Sequence, residues 1–151
     1  MTSLPPVRLE GLSLPVSNLT HSVAFYELLG FEVEQHHGNA FAMLRLGGGT
    51  LGLLSARLPD AAASQDMTHQ QRATIQVELT TDDLDGLYAH LSAKGVNFHR
   101  PPHDDAWERS MQCFDPDGYT VEFAQGLRGH NEPPAPSGRV RTRIPGDSAD
   151  L

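Results

Sequence analysis

One carboxylate interrupts an apolar run near the end of the chain, in DPDGYTVEF, residues 115–123. Side chains on a strand alternate between faces, so Val121 and Phe123 oppose Thr120 and Glu122. In TIQVELT the same rule sets Ile75, Val77 and Leu79 against Gln76 and Glu78. If the apolar side packs on a helix, the other side lines a cleft, where Gln76 and Glu122 can accept hydrogen bonds and fix a polar ligand. The plainer alternatives are a wet face, or an ion pair between Glu122 and Arg109 on a neighbouring strand. Trp107, in DDAWERS, can stack on a planar or cationic ligand at the mouth of such a cleft, or simply pack. His103, in the Pro-rich RPPHDD loop, can reach the same mouth as a base, or stay solvated.

Other tempting groups lead nowhere by sequence alone. His99 and His103 have H-x-x-x-H spacing, but Pro101 and Pro102 exclude the helix that would align them. Proximity in sequence establishes no Ser-His-Asp or Cys-His set. The GGGT at 47–50 joins two strands instead of opening a helix, so it is not a phosphate loop.

The elements that must position these residues occur twice. LSLPVSNLTHSVAFYELLGFEVE and VELTTDDLDGLYAHLSAKGVNFH each read as strand, polar cap, amphipathic helix, glycine and strand. Asn18 caps a helix bearing Leu19, Val23, Tyr26 and Leu29 before Gly30; Asp83 caps one bearing Leu84, Leu87, Tyr88 and Leu91 before Gly95. Adding 65 carries Leu19 onto Leu84 and Gly30 onto Gly95, the mark of an internal duplication. Three strand candidates follow each glycine: FEVEQ, FAMLRL and TLGLL, then VNFHR, ERSMQCF and YTVEF. The chain is therefore expected to be α+β, two βαβββ modules at 1–55 and 73–125. A linker at 56–72 has room for one short helical turn, and a Pro- and Arg-containing tail at 126–151 is expected to dock on a surface or a partner subunit. A curved sheet with a helix on one face needs cover on the other, and pairing two modules, within a chain or across a dimer, encloses a cleft.

At 151 residues the chain is long enough for one unit with a real core. A net charge of −8 argues against nucleic acid and anionic membrane as partners. The acids concentrate between Glu78 and Glu122, whereas the stretch after Gln125 carries four Arg against three acids. A partner drawn by the field of the second module should be cationic or a metal ion. One cysteine, Cys113, excludes an internal disulfide and a cysteine-based zinc site. With no signal-like start and no apolar run long enough to span a bilayer, the expected location is the cytoplasm.

The paired modules, the run V-x-N-L-x-x-S-x-x-FY-x-x-LGF and the DPDG-x-x-x-E-F ending resemble the vicinal oxygen chelate superfamily, over residues 7–125. That superfamily includes glyoxalase I, extradiol dioxygenases, fosfomycin-resistance enzymes and bleomycin-resistance proteins. The resemblance implies the glyoxalase/bleomycin-resistance/dioxygenase-like fold. In catalytic members, ligands on the first and last strands of each module hold a divalent metal that chelates adjacent substrate oxygens. It also implies ligand positions at Gly11 and Gly52 in the first module and Gln76 and Glu122 in the second. Only the latter two have ligating side chains. Glu10 has the wrong parity to replace Gly11 unless a bulge shifts the register.

The leading expectation is a metal-free small-molecule-binding protein of bleomycin-resistance type, a homodimer binding an organic ligand, which the acidic second module allows to be cationic. In it Gln76 and Glu122 fix the ligand, with Trp107 and His103 at the mouth, while Gly11 and Gly52 leave space. The alternative is a lyase, isomerase or transferase of glyoxalase or fosfomycin-resistance type, using Mn, Fe, Ni, Zn or Co. There Gln76 and Glu122 bind the ion and His103 or Glu10 completes its shell. In a third reading, of a regulatory or interaction module, side chains close the cleft.

Overall fold

Alternating apolar strands and two capped helices dictate the layers of the fold. The structure, a computed structural model, describes residues 3–126. The expected docking of the tail lies outside those residues. The first module is β1 (Gly11–Val16), α1 (Leu19–Leu28), β2 (Glu32–His37), β3 (Phe41–Leu46) and β4 (Gly49–Ser55). The second is β5 (Gln76–Thr80), α3 (Leu84–Ala93), β6 (Phe98–Asp104), β7 (Glu108–Phe114) and β8 (Thr120–Gly126). Between them lie a 3₁₀ helix (Pro59–Asp66) and α2 (His69–Ala73), two short helical segments where the sequence suggests a single turn.

The two sheets have the same order, β1-β4-β3-β2 and β5-β8-β7-β6, with the first and last strand of each module parallel neighbours. The duplication is thus reproduced strand for strand. Asn18 accepts a hydrogen bond from His21 N–H and Asp83 one from Gly86 N–H, each satisfying a donor in the first helical turn. Gly30 and Gly95 follow the helices at φ of 107° and 93°, a region closed to most side chains, so the chain turns back to the sheet there.

Each helix buries its apolar stripe against one face of its own sheet. Leu19, Val23 and Tyr26 join Leu14, Val16, Ala42, Leu44, Leu51 and Leu53 in the core; Leu84 and Leu91 join Met111, Cys113, Val121 and Phe123. Each large aliphatic side chain so buried contributes about 1.5–3 kcal/mol.

The modules are tied through the DPDGY turn. Tyr26 O–H donates to Asp115 Oδ2 at 2.8 Å, Tyr119 O–H to the Pro15 carbonyl at 2.7 Å, and Ser17 N–H to Asp117 Oδ1 at 3.0 Å. Tyr26 and Tyr119 are fully buried. Burial raises the Asp115 carboxyl above the usual range, partly offset by hydrogen bonds from Tyr26, Asp117 and Tyr119. At the other junction the β3–β4 turn presents Gly47, Gly48 and Gly49. A groove of about 520 Å³ opens there, flanked by β1 and β5.

Candidate functional site

The face of the second sheet opposite α3 collects the polar side chains. Register places Arg100 beside Gln112, Gln112 beside Glu122, and Glu122 beside Glu78. One row of polar groups therefore crosses all four strands. Met111, Cys113, Val121 and Phe123, with the opposite parity, fill the core beneath α3. Gln112 donates an amide N–H to Glu122 Oε2 at 2.8 Å, and Glu122 is only 5% exposed.

The parity expected for Gln76 and Glu122 holds, but the register separates them. The partner of Gln76 is Thr120, so Gln76 sits two rungs from Glu122, and Glu78 takes the place directly alongside it. Arg109 does not pair with Glu122. Its guanidinium binds Asp85 on α3 and Asp104 on β6, each at 3.0 Å, because its parity turns it to the helix side. Those hydrogen bonds hold Asp85 below the usual carboxylate range.

His103 lies on a strand and not in a loop. β6 runs through Pro101 and Pro102, which an edge strand with irregular register accommodates because its outer edge needs no donors. This places His103 opposite Ser110. His103 Nε2 lies 3.0 Å from Arg100 Nη2, and its Nδ1 lies 2.9 Å from the Pro101 carbonyl. A guanidinium only donates and a carbonyl only accepts, so this geometry assigns the ring proton to Nδ1.

The strand extension also gathers a Ser-His-Asp set that sequence spacing does not reveal. Ser110 Oγ donates to Asp105 Oδ2 at 3.2 Å and stands 3.4 Å from His103 Nε2, which is 3.5 Å from Asp105 Oδ2. Ser110 is 1% exposed, and Arg100 covers the imidazole nitrogen that a base would use. The set braces the β6–β7 side of this face, and its buried serine is not presented as a nucleophile. Trp107, 53% exposed, stands in the β6–β7 connection immediately before Glu108.

The room expected above Gly11 and Gly52 is absent. A Cβ on Gly52 would collide with Ser13 Oγ and come within 3.1 Å of Phe41 Cε2, and one on Gly11 would collide with the backbone carbonyl of Thr50. Ser13 and Thr50 are the register partners of these glycines. Neighbouring strands have closed onto the bare backbone at both glycines; no room is left over Gly52, whereas Gly11 lines the groove beside the β3–β4 turn.

The resident divalent ion implied by the resemblance does not fit this donor set. Two of its four positions are these glycines, and the register holds the other two, Gln76 and Glu122, two rungs apart. Among the described residues no group of three or more His, Cys, Asp and Glu side chains is placed to hold a metal. Cys113 is buried, its thiol pushed up to about 12 by desolvation, and contributes packing only. Among the described residues no helix is long and apolar enough to cross a membrane.

Comparison with known proteins agrees with this architecture. An uncharacterized protein of Mycolicibacterium smegmatis is 30% identical over 115 residues, covering 76% of this chain and 90% of that protein. The crystal structure of a glyoxalase/bleomycin resistance protein/dioxygenase from Nocardioides superposes with a TM-score of 0.67 at 25% identity, over 91% of this chain and 93% of that one. TnmS3, an antibiotic binding protein from a Streptomyces species, superposes with a TM-score of 0.65 at 22% identity, over 83% of this chain and all of that one. Residues 8–123 match the family model Glyoxalase/Bleomycin resistance protein/Dioxygenase superfamily. Repeated modules, identical strand orders and this match together establish that the chain belongs to that superfamily.

Proposed function

We propose that this protein binds a small organic molecule bearing a positively charged, hydrogen-donating group, on the helix-free face of its second module and without a resident metal. The observation that carries this reading is the pair Glu78 and Glu122, side by side in register, with the Gln112 amide on the latter. Two adjacent carboxylates suit an amidinium, guanidinium or ammonium better than an anion or a neutral acceptor. The name of TnmS3, an antibiotic binding protein, supports a binding role at the level of a shared fold. Gln76, two rungs away, and Trp107 and His103, toward the β6–β7 end, extend the surface available to the rest of the ligand.

The working unit we propose is a homodimer in the cytoplasm. Leu4, Val7, Leu9 and Leu12 are 70–86% exposed within one short stretch, an apolar surface suited to a second copy. A single buried thiol fits a reducing compartment. Sedimentation should give twice the chain mass.

Calorimetry with benzamidine and its uncharged analogue benzamide tests the ligand class. Benzamidine alone should bind, and Glu122→Gln should weaken it. Equal behaviour of the two compounds overturns the reading. Near-stoichiometric Mn, Fe, Ni, Zn or Co in protein purified without chelator, lost in Glu122→Ala, would replace it with the metal-dependent alternative.

A further inference from the structure

Two surfaces of this chain fit one another and do not meet within it. The first is the stretch ahead of β1. Residues 3–10 are exposed throughout, and Leu4, Val7 and Leu9 are 83%, 80% and 86% exposed. Pro5 and Pro6 favour an extended backbone in which residues three apart share a side, and in a strand-like continuation residues two apart do. In that geometry Leu4, Val7 and Leu9 leave one side of the segment, and Arg8 turns to the other. The Glu10 carbonyl accepts from Thr50 Oγ1 on β4, which holds the base of the segment at the rim of the first sheet.

The second surface is the groove of about 520 Å³ flanked by β1 and β5. Leu12, Phe31 and Leu46 line it from the first module, and Ile75, Val77 and Leu79 from the second. Its mouth at the β3–β4 turn carries no side chains, since Gly47 and Gly48 have open space where a Cβ would stand. Among the described strands β5 has a neighbour on one side only. The Ile75 carbonyl accepts from Thr120 N–H and Thr81 N–H donates to the Ala124 carbonyl, so the odd-numbered residues of this strand serve β8. Gln76 and Thr80, at even positions on the groove lining, turn their main-chain groups the other way, to an edge on which a further strand can pair. The lengths agree: β5 runs about 13 Å from Gln76 to Thr80, and Leu4 to Leu9 spans about 16 Å when extended.

We propose that residues 3–10 form an arm that lies in the groove of a second copy of this chain, with Val7 and Leu9 against Ile75, Val77 and Leu79 and the backbone of 7–9 along the free edge of β5, while the second copy's arm returns the exchange. This gives the homodimer proposed above its contact and rests on that reading. The occupant is a second copy because arm and groove belong to the same chain, so one two-fold exchange covers both at once and closes the assembly. Pro5 and Pro6 stiffen the arm before it docks, which reduces the entropy lost in docking.

Sedimentation of the full-length protein tests the arm. The parent should run at twice the chain mass. Leu4→Ser/Val7→Ser/Leu9→Ser changes positions outside the core and should associate at least about a hundredfold more weakly. Val33→Ser, on β2 at the far edge of the first sheet, is the control and should leave association unchanged. A triple variant that dimerises as tightly as the parent overturns the arm and leaves the homodimer standing, whereas a parent of single mass overturns both. The arm's place is read by treating Arg8→Cys/Thr80→Cys with a short bismaleimide; Cys113 is buried and shielded from it. A covalent species of twice the chain mass is expected. A link confined to one chain, or no link in a protein that sediments as a dimer, overturns the groove as the arm's seat.

Discussion

Glu78 and Glu122 are register partners on adjacent parallel strands, so two carboxylates leave the same face of the sheet side by side. Like charges directly opposite one another oppose folding, and a donor between them relieves that opposition. Gln112 supplies one such donor to Glu122 Oε2. Replacing Glu122 with Gln keeps the shape and removes one charge. Benzamidine affinity should fall about ten- to a hundredfold, as expected for loss of a charged hydrogen bond. Near-ultraviolet circular dichroism should stay native, and unchanged affinity in a folded variant would remove Glu122 from the site.

Tyr26 joins the modules through its hydrogen bond to Asp115, and both groups are buried. Tyr26→Phe removes the hydroxyl and leaves Asp115 Oδ2 without that donor. Loss of about 1–3 kcal/mol in urea unfolding is expected, the range for stranding a buried acceptor. Tyr88→Phe, on the half-buried side of α3, is the control and should change little.

The same carboxylate gives the protein a pH signature. Burial raises the Asp115 pKa in the folded state, so over the window from the unfolded value, about 3.9, to the raised folded value the native chain binds more protons than the unfolded one. The slope of unfolding free energy with pH is then negative for this group. Its favourable contribution is complete below the unfolded pKa and is lost as pH rises through the folded pKa. Asp115→Asn should therefore gain stability relative to the parent as pH rises across that window. Parallel stability curves for the two proteins would contradict the assignment.

The parts of this molecule visible in sequence are those set by local periodicity. Leu19, Leu84, Gly30 and Gly95 stand at matched positions because each must face a core or turn a chain, and both long helices and the repeated sheet order follow from them. The parity of Glu122 is visible for the same reason. Register is not. It is fixed by how β5 pairs with β8, which sets Glu78, not Gln76, beside Glu122. His103 is misplaced by sequence because two prolines read as a loop, although an edge strand whose pairing with β7 is interrupted between Arg100 and His103 accommodates them. Ser110 and Asp105 meet His103 only through that hidden register.

Gly52 provides the sharpest check that the first module is packed and not hollow. Its missing side chain is replaced by Ser13 from β1 and Phe41 from β3, with Ser13 Oγ standing where a Cβ would have to go. Gly52→Ala therefore overpacks a closed site and should cost about 1–3 kcal/mol. Ser13→Gly removes the obstructing side chain. In a double-mutant cycle Gly52→Ala should be much less damaging in the Ser13→Gly background, with a coupling of about 0.5–3 kcal/mol. Additive effects would mean that the space over Gly52 accepts a methyl group without moving Ser13, and the first module would then regain its claim as part of the ligand cleft.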